Sequence, residues 1–437
     1  MKTLYFKDLK EHFNKEVTLE GFVDNIRDLQ YVQFLVLRDT SGKIQVTIEK
    51  NEENKELNEI VTNLTIESTI KVKGMVKENE KVKLNGMEVI PSEIIVTSIC
   101  DGELPFNYKD LSKVLLDTRL NYRFLDLRNE KNLLMFKIQT LLFNAMKEFC
   151  INQNFIEIHT PKIIGAASES GAEVFEIKYF KEKAYLAQSP QFYKQMAIAS
   201  GFEKVIEIAP AFRAENSNSY RHATEFTSFD IEFAYIESYE EVMNFEEDLI
   251  IEGFTKVKDK YGEEVKNLFG IDIIVPKKPF PRIKLEDLYK ELDKNYNFKM
   301  NFEDVGDMNN EAETLASKYI KEKYNHEFVF VTDFSSKKRP FYHMRKEGIP
   351  QGFDLIWKGC EITSGSQREH RYDVLVEEAK KQGLGKDVEF YLEFFKYGCP
   401  PHGGFGLGVD RVTMLLLENE SVKDTMFIFR GPNRFFP

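Results

Sequence analysis

Cysteine and long apolar runs are scarce in this chain, and each scarcity excludes a class of protein. The four cysteines among the 437 residues are far apart, at Cys100, Cys150, Cys360 and Cys399. No C-x-x-C pair exists, so neither a zinc site nor a disulfide framework is indicated. No apolar run approaches the ~20 residues of a membrane-spanning helix, and scattered charges near the first residue argue against a signal peptide. We therefore expect a cytoplasmic protein without a membrane segment.

An excess of positive charge is also missing. The formal net charge is −12 at pH 7, which gives no indication of nucleic-acid binding. It does not exclude it, because an acidic protein can carry a local basic face and unpaired bases are recognised by stacking and edge contacts. With 42% hydrophobic and 30% charged residues, the composition is typical of soluble globular proteins, and the length predicts two or three domains.

Residues 1–100 have the pattern of a small β domain. Stretches rich in Val and Ile predict strands at residues 17–23, 34–38, 43–49, 69–76 and 87–98. A helix is predicted at residues 53–63, after the third strand. Five short strands with a helix in that place suggest an OB-fold barrel, a fold that binds oligonucleotides. From the pattern alone, a sandwich or another small barrel stays possible.

Residues 101–120, with a polar start and Pro105, are predicted to be a linker or hinge, and residues 121–437 a second, larger domain. A helical stripe spans residues 132–152, and Ser238 with Glu241 forms a capping-box pattern that opens another helix. A mostly polar helical insertion is expected around residues 286–325. Strands and helices follow without regular βαβ alternation, which favours an α+β fold with a mainly antiparallel sheet flanked by helices.

Two distant stretches of this larger domain suit an anion. Residues 403–417, GGFGLGVDRVTMLLL, place a glycine-rich segment and Arg411 before an apolar helix. Residues 212–234 have a strand–loop–strand pattern with Arg213, Arg221 and His222 flanking the polar loop. A glycine turn before a core helix would explain the first stretch taken alone. Together, the two stretches predict convergence on one polyphosphate.

These residues resemble signature motifs of class II aminoacyl-tRNA synthetases. FRAE…RHATEF resembles motif 2, GLGVDR resembles motif 3, and residues 124–161 resemble motif 1. The resemblance covers nearly the whole chain, and within the class it is greatest to aspartyl-tRNA synthetases of the archaeal and eukaryotic type. It implies an OB-fold anticodon-binding domain, a catalytic domain, and a homodimer formed through motif 1.

The resemblance implies that ATP lies between motifs 2 and 3. Arg213 would contact the α-phosphate and the substrate carboxylate, Glu215 the adenine amino group, and Arg411 the γ-phosphate. The implied ATP-binding residues are Arg213, Ala214, Glu215, Arg221, His222, Ala223, Glu361, Gly408, Val409, Asp410 and Arg411. Those implied to be catalytic are Arg213, Glu361 and Arg411. Asp410 is a departure from the family, in which Glu is common at the position before the motif 3 arginine. For each arginine taken singly, a surface ion pair is the alternative interpretation.

A magnesium ion is the implied cofactor. Glu361 and Ser364, in CEITSGSQREHR, match the family's metal-binding positions, and hard cations take carboxylate and hydroxyl oxygens. A polar strand edge with side chains in water is the alternative.

The amino-acid substrate is implied by QSPQFYKQ at residues 188–195 and by SQREHR. Lys194 and Arg368 would bind the β-carboxylate of aspartate, since cations suit that group, and Asp230 would position Lys194. His402 would approach the same carboxylate, where the charge of its imidazole would matter near neutral pH. The implied aspartate-binding residues are Glu169, Ser189, Gln191, Lys194, Arg213, Asp230, Ser364, Arg368 and His402. An exposed helix start at Pro190 would explain the first stretch otherwise.

The anticodon of tRNA is implied to contact Phe34, Gln45 and Glu88 in the barrel, with Phe34 stacking on a base. Phe34 and Leu35 point to opposite faces of one strand, so a core position for Phe34 is the competing interpretation.

Aspartate–tRNA ligation is therefore the expected activity, with ATP, L-aspartate and tRNA as substrates. Three alternatives stay open: an asparaginyl-tRNA synthetase, a catalytically silent paralogue that binds RNA, and a synthetase-like amide ligase. Lys194 argues against the first, because an ammonium has only donors to offer an amide. Intact Arg213, Glu361 and Arg411 argue against the second, and the N-terminal domain against the third. The choice between tRNA-Asp alone and tRNA-Asp plus tRNA-Asn, expected near Asp24 and Lys83, is not decided by the sequence.

Overall fold

A computed structural model of the chain describes residues 4–165, 173–300 and 306–436. The chain divides into two compact units, residues 1–107 and 108–437. The boundary falls inside the predicted linker, and residues from 108 onward belong to the second unit. Asn129 Nδ2, for example, donates a hydrogen bond of 2.7 Å to the carbonyl of Tyr108.

The first unit is a closed five-stranded barrel, as the OB-fold prediction required. Its elements are a short 3₁₀ helix at Phe6–His12, β1 (Glu16–Asp28), β2 (Val32–Asp39), β3 (Gly42–Glu49), α1 (Lys55–Thr62), β4 (Thr69–Glu78) and β5 (Met87–Ser98). The strand order around the barrel is β1-β2-β3-β5-β4, with β3 and β5 parallel and the other pairs antiparallel. Alternating Val, Ile and Leu side chains fill the interior because successive residues of a strand face opposite sides.

The three residues predicted to contact an anticodon have side chains that face away from the barrel core, although Glu88 is itself buried by its neighbours. Phe34 is half-buried and pairs with Thr47 across β2 and β3, whereas its neighbour Leu35 is in the core. Gln45 pairs with Glu88 across the parallel strands, and their side chains approach to 3.5 Å. The competing interpretation, in which Phe34 is a core residue, is therefore wrong.

The second unit is built on a sheet that has eight strands among the described residues. Their order is β12-β13-β16-β17-β18-β11-β10-β6, with parallel pairing only for β12 with β13 and for β10 with β6. The strands of the unit are β6 (Ile156–Glu157), β7 (Ile163–Ile164), β8 (Glu176–Tyr179), β9 (Glu182–Leu186), β10 (Lys204–Phe212), β11 (Glu225–Ala234), β12 (Arg282–Lys284), β13 (Phe328–Thr332), β14 (Arg345–Lys346), β15 (Ile349–Pro350), β16 (Gly352–Trp357), β17 (Cys360–Arg368) and β18 (His402–Gly408). The mainly antiparallel α+β prediction is confirmed.

Helices flank the sheet. They are α2 (Leu116–Asn121), α3 (Arg123–Asp126), α4 (Glu130–Asn152), α5 (Gln191–Ala199), α6 (Tyr239–Phe269), α7 (Leu285–Tyr296), α8 (Asn310–Tyr324), α9 (Tyr372–Lys381), α10 (Glu389–Lys396), α11 (Val409–Leu416) and α12 (Val422–Thr425). α4 and α6 pack on one face of the sheet and form the largest core with it. The capping box predicted at Ser238 and Glu241 begins α6. No helix among the described residues is long and apolar enough to cross a bilayer.

Two parts of this unit differ from what the sequence predicted. No strand was predicted at residues 403–408, where a glycine turn was the alternative, but the structure has the central strand β18 there. The helical segment around residues 286–325 is not merely an outer polar insertion. Leu288, Leu292 and Ile320 of α7 and α8 are buried against Val329 and Val331 of β13, because both helices have an apolar face that the high content of charged residues obscures.

Glu246 of α6 is a buried acid in the core beneath β17. Burial raises its pKa from an ordinary 4.5 to about 8, although the neighbouring Thr363 hydroxyl lowers it in part. The folded protein therefore keeps a proton on Glu246 between pH 4.5 and about 8, where the unfolded chain has released it. Stability is then lost as the pH rises through this window, at up to about 1.4 kcal/mol per pH unit.

We expect Glu246→Gln to stabilise the fold at neutral pH, because the amide cannot ionise in the unfolded chain. The gain in free energy of unfolding should be near zero below pH 4.5 and should grow up to about pH 8. Urea unfolding at several pH values measures it, with Glu264→Gln at an exposed position of α6 as the control. A gain that does not change with pH would contradict the protonated state of Glu246.

Candidate active site

The open face of the large sheet carries a cavity of about 420 Å³. The central strands β11, β17 and β18 form its floor, and the loop between β10 and β11 and the start of α11 form its sides. Its lining residues are Gln188, Ser189, Gln191, Arg213, Glu215, Arg221, His222, Ala223, Phe226, Thr227, Ser228, Asp230, Arg339, Pro340, Tyr342, His343, Glu361, Ile362, Ser364, Arg368, Gly406, Gly408, Asp410, Arg411, Val422 and Met426. The two anion-suited stretches of the sequence, residues 212–234 and 403–417, thus meet at one cavity.

Pairing between β11 and β18 explains why these stretches meet. Ser228 lies opposite Gly408, and Asp230 opposite Gly406, although the two strands are far apart in sequence. A Cβ atom added to Gly406 would lie 3.1 Å from Asp230 Oδ1, so the glycine leaves the floor of the cavity open above that carboxylate. The glycines of β18 therefore serve close approach between strands, not a turn.

Arginines mark one end of the cavity, here called the nucleotide end and defined by Arg213, Arg221, Glu361 and Arg411. Arg213 is exposed, with its guanidinium carbon 5.3 Å from the centre of the Phe226 ring. Arg411 Nη1 donates to the Glu361 carbonyl at 2.8 Å, and its Nε donates to the Arg221 carbonyl at 3.3 Å. Two backbone carbonyl oxygens thus hold the Arg411 guanidinium in place. Because these oxygens are uncharged, the two contacts do not neutralise its positive charge.

A β-bulge in β17 sets the direction of its acidic and hydroxyl side chains. Ile356 of β16 pairs with Glu361, and the next residue, Leu355, pairs with Thr363, so Ile362 is the extra residue. One extra residue reverses the alternation of side chains. Glu361 and Ser364, three apart in sequence, therefore both line the cavity, and Asp354 is the register partner of Ser364.

The oxygens of Glu361 and Ser364 fit the donor chemistry of a magnesium ion. Burial, together with the nearby Asp354 carboxylate, raises the pKa of Glu361 to about 7. A divalent cation would favour the ionised form of such a carboxylate. Arg339 binds Asp354 through both of its terminal nitrogens and donates to Ser364 Oγ at 3.2 Å. Among the described residues, no group of three or more His, Cys, Asp or Glu is placed to bind a metal, so water and phosphate oxygens would complete the coordination.

Histidine at the nucleotide end is neutral at neutral pH. Burial lowers the pKa of His222, and the Arg411 and Arg221 guanidinium groups lower it further. Arg221 itself is buried and makes a bidentate pair with Glu313 of α8. Burial also raises the pKa of Asp410, in the first turn of α11, to about 7.

Four buried charges form a network at the opposite end, here called the amino-acid end and defined by Lys194, Asp230, Glu232 and Arg368. Lys194 is 0% exposed, and its Nζ lies 2.8 Å from Asp230 and 3.5 Å from Glu232. Arg368 donates to the two oxygens of Glu232 at 2.9 and 3.3 Å. Burial opposes ionisation of Glu232, but Arg368 and Lys194 hold the pKa of its carboxyl below its usual range. The formal charge of this network is zero, because Asp230 and Glu232 balance the two cations that the sequence placed here.

His402 differs from the prediction in charge and in place. It is 0% exposed, outside the cavity lining, and accepts a hydrogen bond of 2.9 Å from Gln195 Nε2 while its Nδ1 donates to the Pro400 carbonyl at 2.8 Å. Burial lowers the pKa of His402 to about 4. The imidazole is therefore neutral near pH 7, and Gln195 is the side chain of α5 that it contacts.

The structure brings most of the predicted site residues to the cavity. Its lining includes Ser189, Gln191, Arg213, Glu215, Arg221, His222, Ala223, Asp230, Glu361, Ser364, Arg368, Gly408, Asp410 and Arg411. Lys194, Ala214, His402 and Val409 are outside the lining, although Lys194 contacts Asp230, which belongs to it. Glu169 and the rest of residues 166–172 lie outside the described part of the chain.

Sequence reasoning did not find four of the residues that shape this site. Glu232 had a signal, because it follows Asp230 by two and period-two alternation places both on one face of β11. Asp354 had a weaker one, a carboxylate inside the otherwise apolar strand GFDLIW. Arg339 and Glu313 had none, since their partners are distant in sequence.

Comparison with known proteins finds relatives along the whole chain. A family described as tRNA synthetases class II (D, K and N) matches residues 116–429, and one described as OB-fold nucleic acid binding domain matches residues 17–97. Aspartate–tRNA(Asp) ligase of Pyrococcus furiosus is 40% identical over 449 residues, and aspartate–tRNA(Asp/Asn) ligase of Methanopyrus kandleri is 43% identical over 442 residues, each covering 100% of both chains. The crystal structure of asparaginyl-tRNA synthetase from Pyrococcus horikoshii complexed with asparaginyl-adenylate superposes with a TM-score of 0.92 at 29% identity, over 100% of both chains.

Proposed function

We propose that this protein is an aspartate–tRNA ligase. The chain belongs to the class II tRNA synthetases of the D, K and N group. Full-length relatives named aspartate–tRNA ligase support this activity. The observation that carries the proposal is one cavity with two distinct ends. Arg213 and Arg411 lie at the end suited to a polyphosphate, and Lys194 and Arg368 lie at the end suited to a carboxylate side chain.

The nucleotide end would act by position and charge. In the first step, an oxygen of the aspartate α-carboxylate attacks the α-phosphorus of ATP, and pyrophosphate leaves with the electrons of the broken P–O bond. The exposed guanidinium of Arg213 would neutralise charge on the α-phosphate, and Arg411 charge on the γ-phosphate. Glu215 would accept a hydrogen bond from the adenine amino group. Ala223, Gly408 and Asp410, which line the cavity, would form walls around the nucleotide, and Ala214 and Val409 would act from beside them, outside the lining.

Glu361 and Ser364 would bind Mg²⁺, which when bound supplies positive charge to the phosphate oxygens. In the second step, a terminal hydroxyl of tRNA attacks the carbonyl of the aspartyl-adenylate, and AMP leaves. The residues of the nucleotide end would bind and orient the phosphate of the adenylate, and neither step requires a covalent intermediate with the protein. Catalysis would then depend on alignment, to which the backbone contacts of Arg411 contribute directly.

The amino-acid end would select aspartate through its charge network. Arg368 lines the cavity and would donate to the β-carboxylate, while Lys194 would act from beneath Asp230. Ser189 and Gln191 line the same end, and their side-chain oxygens would accept hydrogen bonds from the α-ammonium group of aspartate. Glu169 would be a further acceptor. Asparagine offers an uncharged amide, which cannot form the charge-assisted hydrogen bonds that a carboxylate would form with Arg368.

Purified protein should catalyse ATP–pyrophosphate exchange that requires both aspartate and Mg²⁺. Equal or faster exchange with asparagine would show an asparaginyl-tRNA synthetase instead, the activity in the name of the Pyrococcus horikoshii structural relative. No exchange with any amino acid would show a silent paralogue. Charging of purified tRNA-Asp and tRNA-Asn would then decide between the two specificities that the names of the archaeal relatives include.

The barrel would read the anticodon through Phe34, Gln45 and Glu88. Phe34→Ala should leave aspartate-dependent exchange almost unchanged, because exchange needs no tRNA. Aspartylation of tRNA should weaken by the ~1–3 kcal/mol expected for one stacked base. Comparison of kcat/KM for tRNA with the rate of exchange measures the two effects separately.

Leu35→Ala is the matched control for this substitution, since Leu35 is the next residue on the opposite face of β2. Loss of a core leucine should cost about 2–5 kcal/mol of stability. The melting temperature of Leu35→Ala should therefore fall, whereas that of Phe34→Ala should change little. Equal aspartylation by wild type and Phe34→Ala would contradict the stacking role. Formation of a homodimer through residues 124–161, the motif 1 region, and a cytoplasmic location stay predictions.

A further inference from the structure

Glu313 of α8 joins two parts of the nucleotide end from outside the sequence motifs. Its side chain is buried, and its two carboxylate oxygens accept hydrogen bonds from the Arg221 guanidinium, the Oε1 contact being 3.0 Å. Oε2 also accepts from the backbone N–H of Glu361 at 2.7 Å. One carboxylate thus contacts the loop between β10 and β11 and the β17 bulge at the same time.

Arg411 contacts the same two residues through their backbone carbonyls, at 3.3 Å for Arg221 and 2.8 Å for Glu361. Asn310, one turn before Glu313 in α8, adds a second acceptor for the Arg221 guanidinium. Arg221 and Glu361 are therefore fixed from two directions, by α8 and by α11. Both line the cavity, whereas Glu313 is not among its lining residues.

We propose that Glu313 is a positioning residue for the nucleotide. Its carboxylate matches the planar fork of a guanidinium, so it fixes the side chain of Arg221, a residue that lines the cavity. Its contact with the Glu361 N–H sets the place of the carboxylate expected to bind Mg²⁺. The inference rests on the proposed function, because the nucleotide that these residues would position is ATP.

This role predicts a defect confined to one substrate. Glu313 contacts Arg221 and Glu361, but it contacts none of Lys194, Asp230 or Arg368 in the structure. A change at Glu313 should therefore alter the use of ATP while sparing the use of aspartate. A purely structural role of α8 would instead lower stability and affect both substrates together.

Glu313→Gln keeps the size of the side chain and removes its charge. We expect KM for ATP in the exchange reaction to rise by about tenfold or more, from the loss of charge-assisted hydrogen bonds. KM for aspartate should stay within about twofold of wild type. Glu313→Asp, which keeps the charge with shorter reach, should recover part of the loss. Glu311→Gln, at an exposed position in the same turn, should behave as wild type.

A double-mutant cycle with Arg221→Met separates positioning from general damage. The part of the Glu313 effect that passes through Arg221 is absent once Arg221 is replaced, so the loss in the double variant should be smaller than the sum of the two single losses. Additive losses, an equal rise in both KM values, or an unchanged KM for ATP in Glu313→Gln would each overturn the inference. Absence of exchange in the wild-type protein would overturn the proposed function itself, and Glu313→Gln is interpreted only against an active wild type.

Discussion

Arg411→Ala is expected to lower the rate of aspartate-dependent ATP–pyrophosphate exchange by about 100-fold or more. A preorganised charge at a phosphate that develops charge in the transition state is worth roughly this factor when removed. The loss should be larger than for a flexible surface arginine, because the contacts of Arg411 with the Arg221 and Glu361 carbonyls hold its guanidinium in place. Pre-steady-state measurement of adenylate formation would report the effect on chemistry directly.

Arg411→Lys is the informative companion variant. Lysine keeps the charge but cannot donate to two backbone carbonyls while facing a phosphate in fork geometry, so its rate should lie between wild type and Arg411→Ala. The rate of exchange in Arg411→Ala could instead stay within about threefold of wild type, a much smaller effect than removal of a catalytic donor usually has. That result would show that Arg411 serves only to join α11 to β17.

Lys194→Met is expected to damage both stability and the use of aspartate. Lys194 is fully buried between Asp230 and Glu232. Its removal leaves buried negative charge with less compensation, which costs about 3–5 kcal/mol in comparable cases. Chemical denaturation should show this loss, and kcat/KM for aspartate should fall while KM for ATP changes little.

Two further variants separate these effects. Lys194→Met with Asp230→Asn removes one charge of each sign and should regain part of the stability, but not the use of aspartate. Lys181→Met, at an exposed position, should change neither. If the double variant recovers aspartate activity along with stability, Lys194 has only a structural role.

Local sequence patterns predicted much of the fold, since they report on local forces. Period-two alternation around Phe34 and Leu35 placed one residue outside and the other inside the barrel. The side-chain chemistry of Ser238 and Glu241 predicted the start of α6. The motif residues Arg213 and Arg411 indicated a shared site because both are suited to an anion.

The remaining features depend on what folding brings together. Glu313 is 92 residues from Arg221 in sequence, so no local pattern links them. The charge expected for His402 failed because burial, which a sequence does not display, lowers its pKa. The sequence did not predict strand β18, because glycine serves turns as well as close strand approach, and only the pairing with β11 distinguishes the two.

The bulge at Ile362 makes the site sensitive to chain length as well as to residue identity. On its two sides, odd and even positions of β17 exchange roles: Glu361 faces the cavity before the bulge, and Ser364 after it. Deleting one residue there would leave every neighbouring amino acid present, yet Glu361 would turn toward α6 if the downstream half kept its place. A survey limited to substitutions would therefore miss this dependence, whereas single-residue insertions and deletions along β17 would reveal it.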